Sequence, residues 1–165
     1  MPPRSVQIAV VGAVTCGAEL TEAARAVGRG LAAAGAVVLT GGRTGVMEAA
    51  SAGAREAGGT TVGILPGADA ASSPPNPHVQ LALYTGLGQA RNQVLVLSAA
   101  AVVAVGGAWG TLVEIALALK HRIPVVTLQS WELRRPDGKD APLLRRAKTA
   151  EEAVELALRA ARKDQ

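Results

Sequence analysis

Two residues could act on a bound anion: the carboxylate Glu114, in the run GGAWGTLVE, and the cation Arg91, in the run GLGQARNQV. Glu114 follows a Val-rich apolar stretch, residues 101–105, and a turn built from Gly106, Gly107, Ala108, Trp109 and Gly110. A strand that turns on glycines into a helix leaves a row of free backbone N–H groups at the helix start. With the positive end of the helix dipole, they form a site suited to phosphate. Glycine lets a ligand lie against the backbone because no Cβ intervenes. Thr111 begins a helical pattern in which Leu112, Ile115, Ala116 and Leu119 form one apolar stripe, with Glu114 off it.

Glu114 has a second reading. Thr111 and Glu114 have the spacing of a capping box, in which the threonine caps the helix and the glutamate reaches back to the threonine N–H. The chain contains its own control, since Thr149 and Glu152 repeat that spacing where no glycine-rich turn precedes. Spacing alone leaves cap and site carboxylate equally open. A lone arginine on a helix, such as Arg91, is most often a solvated surface residue.

The glycine turn has an echo. VLTGGRTGVME, starting at Val38, and VAVGGAWGTLVE, starting at Val103, both read strand, Gly-Gly-x-x-Gly, helix. Gly41, Gly42, Arg43, Thr44 and Gly45 form the earlier turn, and Gly12 ends the first strand. In a doubly wound sheet such turns gather at the carboxyl ends of strands, where ligands bind. Two of them suggest two walls of one nucleotide-sized cleft.

The elements that must hold these walls alternate. Strands are expected at residues 6–12, 36–40, 60–65, 79–84, 101–105 and 124–128. Helices are expected at 18–34, 44–57, 86–98, from Thr111 to a basic end at Lys120, His121 and Arg122, and after Thr149. This pattern predicts an α/β fold: a doubly wound, Rossmann-like parallel sheet of six to seven strands with helices on both faces, one domain over residues 1–165. Residues 66–78 hold four prolines and read as a lid over a site or a loose edge; residues 131–148 read as irregular and charged.

Composition narrows the function. The chain has 165 residues, 49 % hydrophobic and 18 % charged, which fits a globular domain with a full core. No apolar run is long enough to cross a bilayer, and the N-terminal residues lack the layout of a signal peptide. A single cysteine, Cys16, rules out an internal disulfide framework, and a cytoplasmic location is expected. The net charge of +4 is spread along the chain: eight basic against six acidic residues through Ser130, nine against seven after it. Only Tyr84, Trp109 and Trp131 are aromatic, which disfavours nucleic-acid binding, because single-strand binders stack bases on several aromatic platforms. There is no phosphate-binding GxxxxGK[ST] loop and no GxGxxG after the first strand. His78, His121 and Cys16 do not make a metal set, so no metal site is expected.

Taken together, GGRTGVME, EAGGTTVGILPG, the helical arginine and GGAWGTLVE resemble the "lonely guy" (LOG) and lysine decarboxylase-like superfamily of Rossmann-type proteins. The form GGRTGVME…GGxxGTxxE is most similar to the branch containing molybdenum-cofactor carrier proteins. LOG enzymes split a cytokinin nucleoside 5′-monophosphate into free base and ribose 5-phosphate. Their PGGxGTxxE motif matches Gly110, Thr111 and Glu114, and their catalytic arginine, fifteen residues before the motif's proline, falls on Arg91. The chain departs from them in four places: Gly106 stands for the proline, Ala108 for the second glycine, Ala90 for the glutamate before the arginine and Asn92 for the lysine after it.

The resemblance implies two functions. In one, the cleft binds a phosphate-bearing, nucleotide-like ligand without turnover, as carrier or sensor, with a nucleoside monophosphate or the molybdenum cofactor as cargo and no cofactor required. In the other, the protein is a phosphoribohydrolase. There Glu114 stabilises an oxocarbenium-like sugar and activates water, Arg91 orients substrate, and the backbone of residues 106–111 with the Thr111 hydroxyl holds the 5′-phosphate. Binding ranks first, because the departures cluster around Arg91. A homodimer or homotetramer is expected, since Val94, Leu95, Val96 and Leu97 make the 86–98 helix apolar on more than one side.

Overall fold

β1 (Gln7–Gly12) lies at the centre of the computed structural model, which describes residues 5–162. Its side chains alternate: Ile8 and Val10 enter one core layer, Ala9 and Val11 the other, and all four are buried. Both faces of the strand must be covered, which is why its sequence is a continuous apolar run.

The remaining elements are α1 (Ala18–Ala33), β2 (Val37–Thr40), α2 (Val46–Glu56), β3 (Thr61–Leu65), β4 (Leu81–Tyr84), a short 3-10 helix (Gly88–Ala90), α3 (Arg91–Leu97), β5 (Ala101–Val105), α4 (Trp109–Lys120), β6 (Val125–Leu128), β7 (Leu144–Ala147) and α5 (Ala150–Arg162). The seven strands form one sheet in the order β4-β3-β2-β1-β5-β6-β7, and every pairing is parallel. The chain winds outward from β1 in one direction through β4, then returns to β1's other side with β5. In register, Ala9 lies beside Leu39 of β2 and Val102 of β5.

Helices α1, α2 and α5 cover one face, contributing Val27, Leu31, Ala50 and Ala157 to its core. On the other face, α3 and α4 supply Leu95, Val96, Ile115 and Ala118. The expected doubly wound sheet is present, with seven strands.

Three local expectations are corrected. Residues 131–148 are not wholly irregular, because β7 pairs there with β6, Val125 beside Leu144 and Leu128 beside Ala147. β7 is an edge strand, LRRA, with two exposed arginines, so it carries no hydrophobic alternation to announce it. The 86–98 helix is split: Gly86 and Gly88 take φ values of 65° and 55°, outside the right-handed helical region, so the α-helix begins only at Arg91. Finally, α4 begins at Trp109 and buries Thr111, Glu114, Ile115 and Ala118, whereas Ala116 is exposed and Leu112 and Leu119 are half-buried. The inward face of α4 therefore carries a threonine and a carboxylate.

Candidate functional site

β1 and β5 are neighbours from which the chain departs in opposite directions, and a crevice opens where their carboxyl ends diverge. β5 is buried throughout, and beyond it Gly106 and Gly107 turn the chain with φ of 56° and 134°. Only glycine occupies the second of these without strain, and a Cβ at Gly107 would press to 2.7 Å on the Thr111 side chain. Ala108 is extended and caps α4 with no side-chain hydrogen bond. The Leu112 N–H is the first to bond back, to the Ala108 carbonyl at 3.2 Å; the N–H groups of Trp109, Gly110 and Thr111 precede it on the first turn and lack intrahelical acceptors.

A cavity of about 240 Å³ lies against this turn. Gly12, Arg91, Gly110, Thr111 and Glu114 line it, together with Met47 and Asn92. A Cβ at Gly110 would meet nothing within 4 Å, so the helix backbone is open there.

Thr111 is 2 % exposed, and its Oγ1 is buried without a hydrogen-bond partner. It sits inside the helix rather than at its cap, which removes the capping-box reading for Thr111 and Glu114. The internal control behaves differently: the Glu152 N–H donates to Thr149 Oγ1 at 3.2 Å, and Glu152 Oε2 accepts from the Lys148 N–H at 2.7 Å. The same spacing caps α5 and furnishes a cavity wall in α4.

Arg91, the first residue of α3, reaches across the ends of β2 and β3. Its Nη1 donates to the Ile64 carbonyl at 2.8 Å, its guanidinium packs over Gly41, and its Nε is buried with no partner. Burial lowers its proton affinity, the Glu114 carboxylate raises it, and neighbouring Arg43 lowers it again. Glu114 is 8 % exposed. Burial pushes its pKa up to about 7, against the opposing pull of Arg91.

The earlier glycine turn supports this wall from behind. Gly45, at φ 68°, lies against the Ala13 and Val14 backbone, where the Val46 N–H donates to the Ala13 carbonyl and Thr44 Oγ1 to that of Val14. Gly42 packs on Leu65 and Gly63, and Gly106 on Leu20. Arg43 and Thr44 line a second cavity, of about 410 Å³, beneath the proline-rich loop. That loop is pinned by Asn76, whose N–H donates to the Gly42 carbonyl and whose Nδ2 donates to that of Arg43. Trp109 is 74 % exposed and stacks on Trp131 with ring centres 5.2 Å apart, outside the lining of the smaller cavity. Met47 and Asn92 were absent from the expected site; Asn92's position beside Arg91 was the available signal.

A seven-stranded parallel α/β sheet with glycine turns beyond the carboxyl ends of β2 and β5 defines a Rossmann-like protein. The chain belongs to the SLOG cluster4 family, whose model matches residues 5–159. Its structure is similar to that of the molybdenum cofactor binding protein from the phototrophic bacterium Rippkaea orientalis, at 39 % identity and a TM-score of 0.84 over 93 % of this chain and 95 % of that one. The Moco carrier protein from Chlamydomonas reinhardtii is 37 % identical with a TM-score of 0.84, over 97 % and 99 % of the two chains. A protein of Archaeoglobus fulgidus is 40 % identical over 124 residues, 75 % of this chain and 80 % of its own. Among the described residues, no helix is long and apolar enough to cross a membrane, and no three His, Cys, Asp or Glu side chains are grouped to hold a metal ion.

Proposed function

We propose that this cleft binds the phosphate-bearing end of a nucleotide-like molecule and that the protein is a cytoplasmic carrier whose cargo is of the molybdenum-cofactor type. One observation carries the reading: two buried polar atoms without partners, Arg91 Nε and Thr111 Oγ1, belong to residues lining a cavity at a helix N-terminus. Buried polar groups are normally satisfied, so such a pair marks a place for an acceptor that the protein does not supply. A phosphate offers acceptor oxygens to both. The names of the Rippkaea and Chlamydomonas relatives support this choice of cargo. Whole small-molecule ligands occupy pockets of about 300–1,000 Å³. The 240 Å³ cavity therefore suits the phosphate end, with the rest of the cargo outside it.

The test is anaerobic loading with molybdenum cofactor followed by gel filtration, with molybdenum and pterin fluorescence measured in the protein peak. Co-elution with the wild type and its loss in Arg91→Ala supports the carrier; no co-elution with the wild type ends it.

A second reading, phosphoribohydrolase activity on a nucleoside monophosphate, is favoured by Glu114. A buried carboxylate with a pKa of about 7 beside a phosphate site is poised to exchange protons near neutral pH. Release of free base from a nucleoside monophosphate decides it.

The proposed assembly is a homodimer or homotetramer. Leu81 and Leu83 on edge strand β4, Leu87 before the 3-10 helix, and Val94 and Leu97 on α3 are all exposed. Clusters of this kind mark association surfaces. Sedimentation at micromolar concentration tests the assembly, and a monomeric mass would sink it.

A further inference from the structure

We infer a second anion site at the opposite end of the sheet, built by Arg122, Arg145 and Arg159 and shaped for a small phosphate monoester with an apolar body. This inference stands apart from the cleft and its proposed cargo. A cavity of about 380 Å³ opens between the amino ends of β6 and β7 and helix α5. The three arginines line it together with Pro124, Leu143 and Leu156, and none of the described residues that line it is a carboxylate. Among the described residues, the acidic partner of these arginines is Glu155, 3.8 Å from Arg159 in a solvent-exposed pair that water screens. The Arg145 guanidinium is pre-oriented, its Nη1 donating to the carbonyls of Pro142 and Leu144 at 3.0 and 3.1 Å.

Backbone geometry at Arg122 is the independent observation. Helices α1, α2 and α4 end in the same way, with two successive N–H groups folding back on the last turn. In α1 these are Gly35 to the Ala32 carbonyl and Ala36 to that of Leu31; in α2, Gly58 to Arg55 and Gly59 to Ala54; in α4, Arg122 to Leu119 and Ile123 to Ala118. The motif requires a left-handed residue at its corner, where glycine carries no steric cost. Two of the three corners are glycine, with φ of 84° and 73°; the third is Arg122, with φ of 62°. Arginine at a glycine corner burdens the fold, and its side chain opens onto a cavity that already holds two other arginines. Three cations suit the dianionic charge of a phosphate monoester, arginine being the side chain that pairs with phosphate most specifically. The proline and leucine wall suits an aryl or alkyl body.

The test uses phenyl phosphate, with inorganic phosphate and phenol as control probes, by calorimetric titration of the wild-type protein, Arg91→Ala, Arg122→Gly and Arg159→Gln. Phenyl phosphate should bind Arg91→Ala at this site as it binds the wild type. Its affinity there should fall about tenfold in Arg122→Gly and in Arg159→Gln. Phenol and inorganic phosphate should each bind more weakly than phenyl phosphate. Arg122→Gly should also melt at the same temperature as the wild type or higher, a combination that a merely structural arginine would not give. Undiminished binding in both arginine variants, loss of all binding in Arg91→Ala, equal binding of either control probe, or a lowered melting temperature in Arg122→Gly would each overturn the proposal.

Discussion

Arg91 and Glu114 line one cavity and influence each other's charge, yet no hydrogen bond or ion pair joins them. Arg91 spends Nη1 on the Ile64 carbonyl, and Glu114 stays buried with a proton affinity raised by desolvation. A closed salt bridge would have satisfied both groups and lowered the Glu114 pKa. Held apart, they leave a cation and a protonatable carboxylate facing the same cavity of about 240 Å³.

The first prediction concerns pH. The Glu114 pKa rises from an ordinary 4.5 to about 7 on folding, so the folded state holds the proton more tightly than the unfolded chain. Its contribution favours the fold below about pH 4.5 and is lost as pH rises towards 7. Glu114→Gln cannot ionise, so its stability relative to the wild type should increase by about 2–3 kcal/mol between pH 5 and 8. Urea denaturation at both pH values measures this; a constant difference would mean the carboxylate is not held protonated.

Removing the Thr111 hydroxyl should separate folding from binding. Its Oγ1 is buried and unpartnered, so Thr111→Val should leave stability unchanged or raise it by about 1 kcal/mol. Affinity for a phosphate ligand should fall about tenfold. Thermal melts and titration with a nucleoside monophosphate provide both readouts.

Gly41 is the seat of Arg91. A methyl group there would overlap the guanidinium and lie 2.7 Å from Met47 Sδ, and both are ends of flexible side chains. Gly41→Ala should therefore fold at a cost of about 1 kcal/mol while displacing Arg91. Phosphate-ligand affinity should drop towards that of Arg91→Ala, and wild-type affinity would show that the guanidinium need not lie over Gly41.

The two Thr-x-x-Glu sites should respond in opposite ways. Thr149→Ala removes a real cap and should cost about 1 kcal/mol. Glu114→Ala removes no cap; it should keep or strengthen phosphate-ligand binding and abolish any release of free base. Chemical denaturation of the pair, with a base-release assay, tests the contrast, and unchanged base release in Glu114→Ala would remove its catalytic role.

The sequence by itself determined the strand–helix alternation and both glycine turns, because these depend on local periodicity and on backbone shapes that only glycine adopts readily; it singled out Arg91 and Glu114 as candidates only through their resemblance to the LOG motif. Tertiary structure decided which way Glu114 faces: Thr111 and Glu114 have the same spacing as Thr149 and Glu152, but α4 starts two residues before Thr111, which turns both side chains onto its buried face. It also decided that β7 exists, since residues reading LRRA become a strand only where β6 offers an unpaired edge. The meeting of Arg91 with the end of β2 likewise follows from β2 and β3 lying side by side, a long-range pairing that no local pattern of residues encodes.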